Sequence, residues 1–308
     1  MTDNASCVRN DSSAGTEAFR ALSDAELEAM APEGLHLKSD FIRESLFPLA
    51  ALVLRKFQEF RVTKECSGVL IVIIAGGVSS GKTSAALMLK RLLSAVGLRT
   101  ETVSSDGFIY PSAWLQEHNL MDQKGFPVSY DARYMEEFLK EVRAASGDIR
   151  APRYSHKVYD RLPDDWQIIP RDTDILIFEG VNLLAAAEEY GVPGIKAPLD
   201  YADLSIYIDV PEHLAESWHR ERCLSIIRKN RGSPQSFFSR YAGLSEPEVI
   251  REIRHVWETI NHVNLMKFIK PYAGKAHIRV TAGPDHLLSK PEWQNGVLPE
   301  TEDGRNPE

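Results

Sequence analysis

The sequence IVIIAGGVSSGKTSAAL, residues 71–87, is the stretch that most limits how this chain can fold. An apolar, β-branched run is followed by small residues, then by Lys82 and Thr83, and then by a helical pattern. Gly76, Gly81, Lys82 and Thr83 fit the spacing G-x-x-x-x-G-K-S/T. Such a turn presents backbone N–H groups and the positive end of a helix to an anion. The stretch therefore predicts a phosphate-binding loop, with an ordinary glycine-rich turn as the alternative.

The chemistry of a phosphate-binding loop predicts a role for each of its polar residues. Lys82 is expected to reach the β- and γ-phosphate oxygens of a nucleotide, and the Thr83 hydroxyl to ligate Mg²⁺. The predicted nucleotide-binding residues are Gly76, Gly77, Val78, Ser79, Ser80, Gly81, Lys82, Thr83 and Ser84. The chain lacks an Asn-Lys-x-Asp motif for recognising guanine, which disfavours a GTPase. ATP and Mg²⁺ are therefore the predicted cofactors.

Strand and helix patterns alternate along the chain after residue 68. The predicted strands are 69–75, 99–105, 174–179, 204–210 and 276–282. The predicted helices between them are 82–95, 131–145, 212–228 and 246–266. This alternation is typical of a parallel sheet with helices on both faces. Together with the loop, it predicts the α/β fold of P-loop NTPases.

The ends of the chain differ in composition from this central part. The first 22 residues are rich in Ser, Asn, Asp, Gly and Ala, and the end from residue 289 is polar and contains proline. We expect residues 1–22 and 289–308 to be flexible and residues 23–288 to form a single domain. A helical pattern at 40–60 precedes the loop, and Pro48 predicts a break or bend there.

Charge and cysteine content limit the partners and the compartment. The chain has 36 Lys and Arg against 44 Asp and Glu, whereas binding of nucleic-acid backbones depends on an excess of cations. Three cysteines, Cys7, Cys66 and Cys223, show no paired spacing, which favours a reducing compartment. The apolar run at 46–54 falls short of the roughly 20 residues that span a bilayer. We expect a cytoplasmic protein of small molecules, without nucleic-acid or membrane partners.

Two acidic residues follow predicted strands. Glu179 ends the apolar run ILIFE and is a candidate Mg²⁺ ligand, although it could be an ordinary strand-end acid. Asp106 follows the second strand, at the edge where open α/β sheets bind ligands. A carboxylate there can accept the proton of an attacking hydroxyl. The Asp-Gly pair equally suits a turn in which Asp106 bonds its own backbone, so both interpretations are open.

A basic run, HRERCLSIIRKNRG, follows the fourth predicted strand. Arginines there could neutralise charge on a transferred phosphoryl group, or they could form a solvated helix face. The basic residues are Arg220, Arg222, Arg228, Lys229 and Arg231. Because the chain is otherwise acidic, we expect a function for at least one of these arginines.

Several longer strings resemble bacterial type I pantothenate kinases, relatives of uridine kinase and phosphoribulokinase. The strings are SSDGFIYP, LMDQKGFPVSYD, PRYSHKVYD, ILIFEGVNLL, DLSIYIDVPE, SFFSRYAGLS and ETINHVNL. They occur in order from about residue 20 to about residue 288 and are more specific than the loop alone. The resemblance implies a P-loop kinase domain over 23–288, a homodimer, and ATP-dependent phosphorylation of pantothenate to 4'-phosphopantothenate in coenzyme A biosynthesis.

The resemblance also implies roles for individual residues. Asp106 is implied as the catalytic base and Arg222 as stabilising the transferred phosphate, together with Lys82. The implied substrate-binding residues are Asp106, His156, Tyr159, His219, Arg222, Phe238, Tyr241 and Asn261. Without the resemblance, the presence of His156 and Asn261 could equally be explained by packing in the core.

The chain departs from that family at positions expected to border the substrate. His219 replaces a usual tyrosine, and Cys223, Ile226 and Arg231 replace phenylalanines. A less aromatic, more basic pocket suits a shorter or more anionic acceptor, so a sugar, sugar acid or nucleoside is the alternative substrate. A nucleotide-binding regulatory module without transfer activity is the third hypothesis. Leu87 replaces an arginine associated with feedback, which predicts weak or absent inhibition by coenzyme A.

Overall fold

Eight strands are present among the residues that the computed structural model describes, which are 17, 19–32, 36–63 and 68–294. They are β1 (Leu70–Gly76), β2 (Thr100–Ser104), β3 (Ile149–Ser155), β4 (Asp160–Ile169), β5 (Ile175–Gly180), β6 (Leu204–Asp209), β7 (Ile278–Thr281) and β8 (Glu292–Trp293). Six of them form one sheet in the order β2-β5-β1-β6-β7-β8. Its neighbouring strands run parallel, apart from the antiparallel pair of β7 and β8. The five predicted strands correspond to β1, β2, β5, β6 and β7, so the predicted parallel sheet is confirmed.

β1 and β5 are neighbouring interior strands of this sheet and are buried along their whole length. Their sequences, LIVIIAG and ILIFEG, are nearly continuous apolar runs, as strands covered on both faces require. Their pairing places Ile74 opposite Glu179. On the other side of β1, Gly76 lies opposite Ile208 of β6. The carboxyl ends of these strands therefore meet at one edge, where the phosphate-binding loop begins.

Helices cover both faces of the sheet. They are α1 (Asp24–Ala29), α2 (Ser39–Phe41), α3 (Phe47–Thr63), α4 (Lys82–Ala95), α5 (Ser112–Glu117), α6 (Ala132–Ala144), α7 (Glu212–Asn230), α8 (Glu246–Val256) and α9 (His262–Asn264). β1 contributes Ile71 and Ile73 to an apolar cluster that contains Phe138 of α6. It contributes Val72 to a second cluster that contains Leu89 of α4. Because alternate residues of one strand enter different clusters, the core has two layers.

Three π-helical turns interrupt the longer helices. They are Ile42–Leu46, Trp257–Asn261 and Leu265–Ile269. The first lies directly before α3, where the sequence predicts a break or bend because of Pro48. Proline lacks an N–H and its ring conflicts with the preceding turn of an α-helix, so a wider turn relieves both problems. The predicted helix at 246–266 likewise includes the π turn Trp257–Asn261 and ends within the π turn Leu265–Ile269, and its sequence pattern indicated neither.

Short 3₁₀ turns connect several of these elements and carry residues of the site described below. Within the described part of the chain they are Ser105–Phe108, Met121–Gln123, Pro127–Ser129, Ala187–Tyr190, Pro198–Tyr201, Phe237–Tyr241 and Lys270–Lys275.

β3 and β4 form a separate antiparallel hairpin that the sequence analysis did not predict. Pro152 and Pro163 interrupt the two strands, and β4 is mostly exposed or half-buried. Regular alternation of apolar residues is therefore missing, which removes the usual signal of a strand. The connection at residues 156–159 carries His156 and Tyr159, so this hairpin positions two of the predicted site residues.

One aromatic residue of each predicted flexible end contacts the rest of the chain. Phe19 is 1% exposed, and its ring centroid lies 5.9 Å from that of Phe47. The guanidinium carbon of Arg55 lies over the ring of Trp293 in β8, 6.0 Å from the ring centroid. Each segment therefore has a ring packed against the rest of the chain, and the flexibility of residues 1–22 and 289–308 stays a prediction. The rest of both predicted segments, residues 1–16, 18 and 295–308, lies outside the described residues.

Within the described ranges, every helix is too short or too polar to cross a bilayer.

The turn that carries Asp106 is packed tightly against the hairpin. A Cβ atom on Gly107 would lie 2.1 Å from the carbonyl oxygen of Pro152 in β3. We expect Gly107→Ala to lower the free energy of unfolding by about 1–3 kcal/mol, because backbone atoms must move apart. Urea denaturation followed by circular dichroism measures this change. Gly147→Ala is the matched control, since nothing lies within 4 Å of a Cβ atom there. Equal losses in the two variants would contradict the close contact.

Candidate active site

The loop between β1 and α4 has the backbone shape that its glycines predict. Gly81 has a φ of 84°, in the left-handed region that favours glycine. A Cβ atom on Gly76 would lie 2.6 Å from the carbonyl oxygen of Ile208, so β6 leaves no space for a side chain. No side chain caps the first turn of α4. The N–H groups of that turn can therefore bind an anion.

Lys82 is buried and folds back over the loop. Its Nζ donates hydrogen bonds to the carbonyl oxygen of Gly77 at 2.6 Å and to Oγ of Ser80 at 3.4 Å. Burial lowers the pKa of Lys82 to about 8, against the opposing effect of Glu179 and then Asp106. The predicted lysine thus lies over the loop and close to both predicted carboxylates.

Thr83 and Glu179 connect the loop to the neighbouring strand. Thr83 Oγ1 donates a hydrogen bond to Glu179 Oε1 at 2.9 Å. Glu179 is 5% exposed, and burial raises the pKa of its carboxyl group while Lys82 opposes the shift. Mg²⁺ prefers hard oxygen ligands and takes only one or two from a protein when it also binds phosphate and water. The residue types and their contact fit a magnesium site that phosphate oxygens would complete.

Asp106 lies on the 3₁₀ turn that follows β2. β2 pairs with β5 so that Ser104 is opposite Glu179, which brings this turn to the edge with the loop. The backbone N–H of Asp106 donates to Oγ of Ser104 at 3.4 Å. The negative charge of Asp106 acts to raise the pKa of Lys82 and of His156. The Asp-Gly turn is present, and it brings the carboxylate between the loop and the hairpin.

The tip of the β3–β4 hairpin, residues 156–159, forms one wall of the candidate site. Burial lowers the pKa of His156, and burial raises the pKa of Tyr159 to about 12. Lys124 holds this tip: its Nζ donates to the carbonyl oxygen of Tyr159 at 2.6 Å and to Oγ of Ser112 at 2.8 Å. Sequence reasoning missed Lys124, although the string LMDQKGFPVSYD contains it. A single lysine in a loop carries no signal of burial.

α7 and the last helix, which runs from α8 through both π turns and α9 to residue 269, form another wall of the candidate site. His219 is 6% exposed, and its Nε2 lies 3.2 Å from Nδ2 of Asn261. Its ring nitrogens also lie within 4.0 Å of Sγ of Cys223. Burial lowers the pKa of His219 to about 4, with the positive charge of Arg222 adding to the effect. The imidazole is therefore neutral at pH 7 and can accept a hydrogen bond from the Asn261 amide.

Two predicted aromatic residues belong to the 3₁₀ turn 237–241. Tyr241 is buried in an apolar cluster with Val249 and Ile253, and Phe238 and Cys223 pack against it. Burial raises the pKa of the Cys223 thiol to about 11. The other two cysteines, Cys7 and Cys66, lie outside the described residues.

The structure groups the predicted site residues unequally. Arg222 is exposed, but its charge acts to lower the pKa of Lys82 and of His156, so it lies near both. Of the four unusual residues expected to border the substrate, His219 and Cys223 are in contact with each other. Ile226 is half-buried further along α7, and Arg231 is exposed after its last residue. A small, partly open recess borders the loop. Its lining residues are Gly77, Val78, Ser80, Tyr207, Val210, Ala215, Trp257, Asn261 and Leu265.

Comparison with known proteins supports the assignment that these features suggest. A model of the phosphoribulokinase / uridine kinase family matches residues 71–232. A pantothenate kinase of Pasteurella multocida (strain Pm70) is 35% identical over 279 residues, which cover 87% of each chain. The chain belongs to the phosphoribulokinase and uridine kinase family. A second relative of this kinase, the pantothenate kinase of Rhizobium meliloti (strain 1021), is 40% identical over 230 residues, 73% of this chain and 69% of that protein.

Solved structures support the fold of this kinase. The D-glycerate 3-kinase from Cryptococcus neoformans var. grubii superposes with a TM-score of 0.58 at 18% identity, over 80% of this chain and 98% of that one. A putative fructose transport system kinase from Silicibacter sp. TM1040 gives a TM-score of 0.56 at 21% identity, over 71% of this chain and 93% of that one. The predicted P-loop α/β fold and the resemblance to pantothenate kinases are therefore confirmed.

The kinase should lose stability in acid because of His219. The ordinary histidine pKa is 6.5 and that of folded His219 is about 4, so the unfolded chain takes up this proton first. The contribution of neutral His219 is complete above pH 6.5 and is lost as the pH falls towards 4. We expect a loss on the order of 3 kcal/mol from this residue.

Urea denaturation of the wild type and of His219→Gln at pH 7 and pH 4.5 measures this loss. The variant should lose less stability between the two pH values than the wild type does. His118→Gln, at an exposed histidine after α5, is the control and should behave like the wild type. Identical pH dependence in His219→Gln and wild type would contradict a buried neutral imidazole.

Proposed function

We propose that this chain is a Mg²⁺-dependent kinase that transfers the γ-phosphoryl group of ATP to pantothenate and forms 4'-phosphopantothenate. One observation supports it above the others. Asp106 lies on the turn after β2, where Ser104 is opposite Glu179 of the loop edge and Gly107 packs against Pro152 of the hairpin. A general base for a hydroxyl acceptor must lie between the phosphate-binding site and the site that holds the acceptor, and the Asp106 carboxylate has this position. The choice of pantothenate as the acceptor rests on the relatives named pantothenate kinase.

The nucleotide would bind at the loop 76–84. Backbone N–H groups there would surround the β-phosphate, and Lys82 would exchange the carbonyl of Gly77 for phosphate oxygens. Thr83 and Glu179 are the residues that would hold Mg²⁺. When bound, this ion would neutralise part of the charge on the β- and γ-phosphates.

The acceptor would bind between Asp106 and the walls formed by the hairpin and α7. Asp106 would accept the proton of the acceptor hydroxyl as its oxygen attacks the γ-phosphorus and the bond to ADP breaks. Lys82 and Arg222 would stabilise the charge on the transferred group. The residues proposed to bind the acceptor are Asp106, His156, Tyr159, His219, Arg222, Phe238, Tyr241 and Asn261.

A second candidate keeps this chemistry and changes the acceptor. His219 and Cys223 lie in contact, at positions where the family resemblance leads us to expect rings. A sugar, sugar acid or nucleoside would fit a pocket with less aromatic area. A regulatory module without transfer activity receives less support, because Lys82, Glu179 and Asp106 are all present together.

Further properties of the chain belong to the same proposal. The family resemblance supports a homodimer, one kinase domain over 23–288 and a cytoplasmic location. The formal net charge of −8 supports the absence of a nucleic-acid partner. Leu87 on α4 supports weak or absent inhibition by coenzyme A.

Release of ADP in the presence of ATP and Mg²⁺ tests the acceptor. Pantothenate should stimulate ADP release above the rate without acceptor, whereas sugars, sugar acids and nucleosides should not. Stimulation by one of those compounds and not by pantothenate would contradict the proposed substrate. Nucleotide binding without transfer to any acceptor would instead favour a regulatory module.

Asp106→Asn tests the proposed base. We expect turnover to fall about 100-fold or more, because the amide cannot accept the proton, while ATP still binds. Steady-state ADP release measures turnover, and isothermal titration calorimetry measures nucleotide binding. Asp122→Asn, at an exposed aspartate on the 3₁₀ turn Met121–Gln123, is the matched control and should retain wild-type turnover. Near-normal turnover of Asp106→Asn would remove the assignment.

A further inference from the structure

Arg240 on the 3₁₀ turn 237–241 has no role in the mechanism above. Its guanidinium carbon lies 4.1 Å from the ring centroid of Phe237 and 4.8 Å from that of Tyr241. Its Nη2 donates a hydrogen bond to the Tyr241 hydroxyl at 2.7 Å. Two rings and one hydroxyl therefore hold the guanidinium in a defined position, although the residue is exposed.

The turn that carries Arg240 is attached to the hairpin tip. The N–H of Phe237 donates to the carbonyl oxygen of Lys157 at 3.0 Å, and the Ser236 hydroxyl donates to the same oxygen at 3.2 Å. The ring of Phe237 stacks on Tyr159 with centroids 4.6 Å apart. The charges of Asp106 and Arg240 both act on Tyr159, with opposite sign. Arg240 thus lies beside the wall that faces the proposed acceptor.

The positive charge of Arg240 is not paired. Across residues 17, 19–32, 36–63 and 68–294, no carboxylate oxygen lies within 4.0 Å of its guanidinium, whereas Arg228 pairs with Glu246 at 2.7 Å. The hydrogen bond to Tyr241 neutralises nothing, because a hydroxyl carries no charge. A fixed, uncompensated cation on a chain with a net charge of −8 attracts anions to its own position.

We propose that Arg240 binds an anionic group at the end of the acceptor remote from the reacting hydroxyl, and thereby selects acceptors that carry a carboxylate. The inference rests on the proposed function. Pantothenate has this form, since its primary hydroxyl and its carboxylate lie at opposite ends of an extended molecule. A planar guanidinium held on aromatic faces can still donate from its free edge to two carboxylate oxygens.

The charge requirement can be separated from a structural role by comparing two acceptors. One is pantothenate, and the other is its neutral primary amide, in which the carboxylate is replaced and the reacting hydroxyl is kept. In Arg240→Gln, we expect KM for pantothenate to rise about 10- to 100-fold, with kcat little changed, because a charged hydrogen bond is lost. The KM for the amide should stay at the wild-type value. Steady-state ADP release measures kcat and KM for each of the two acceptors.

Further variants make the comparison robust. Arg240→Met keeps contact with the two rings without the charge and should resemble Arg240→Gln, which covers the case in which one variant folds poorly. Arg240→Lys keeps the charge and should recover part of the affinity for pantothenate. Arg150→Gln removes an exposed arginine on β3, at the end of the hairpin away from its tip, and should leave both KM values unchanged.

The outcomes separate the two proposals. An equal rise of KM for pantothenate and for the amide would show that Arg240 only stabilises the turn, and it would overturn the inference while leaving the proposed function intact. Unchanged KM values in all three Arg240 variants would overturn it in the same way. A wild type that phosphorylates neither compound would contradict the proposed function, and the inference would fail with it.

Discussion

The pairing of β5 with β1 and β2 is the constraint on which the candidate site depends. Parallel strands end at the same edge, so one register brings the phosphate-binding loop, Glu179 and the turn of Asp106 together. The hydrogen bond from Thr83 to Glu179 joins two of these segments directly. A shift of β5 by one residue would turn Glu179 to the other face of the sheet and separate its carboxylate from the Thr83 hydroxyl. The core that fixes this register is therefore part of the chemistry.

The walls around the acceptor rest on a different kind of contact. Lys124 holds the hairpin tip through hydrogen bonds to a backbone oxygen and a hydroxyl. His219 and Asn261 join α7 to the last helix through a single hydrogen bond between neutral groups. The family resemblance leads us to expect rings where this chain has His219 and Cys223. The acceptor side of the proposed site is therefore where we expect this chain to differ from the family.

Much of the nucleotide side could be predicted from the sequence, because local patterns encode it. Apolar runs predicted β1 and β5, and the glycine spacing predicted the loop between β1 and α4. The hairpin β3–β4 could not be predicted, because prolines and exposed polar residues remove the alternation that indicates a strand. Lys124 could not be found either, since its contacts depend on burial. The proposal for Arg240 likewise depends on the absence of a carboxylate beside it among the described residues. Such properties arise only when distant segments meet.

The π turns of the last helix have a consequence for its alignment with the rest of the molecule. Each wide turn accommodates one residue more than an α-helical turn, so the side chains beyond it are rotated relative to those before it. Deleting one residue within Trp257–Asn261 would allow a regular α-helix, yet it would rotate everything that follows by about 100°. Leu265 and Ile269, both buried, would then leave the core. A regular α-helix at this point would therefore remove two buried side chains from the apolar core.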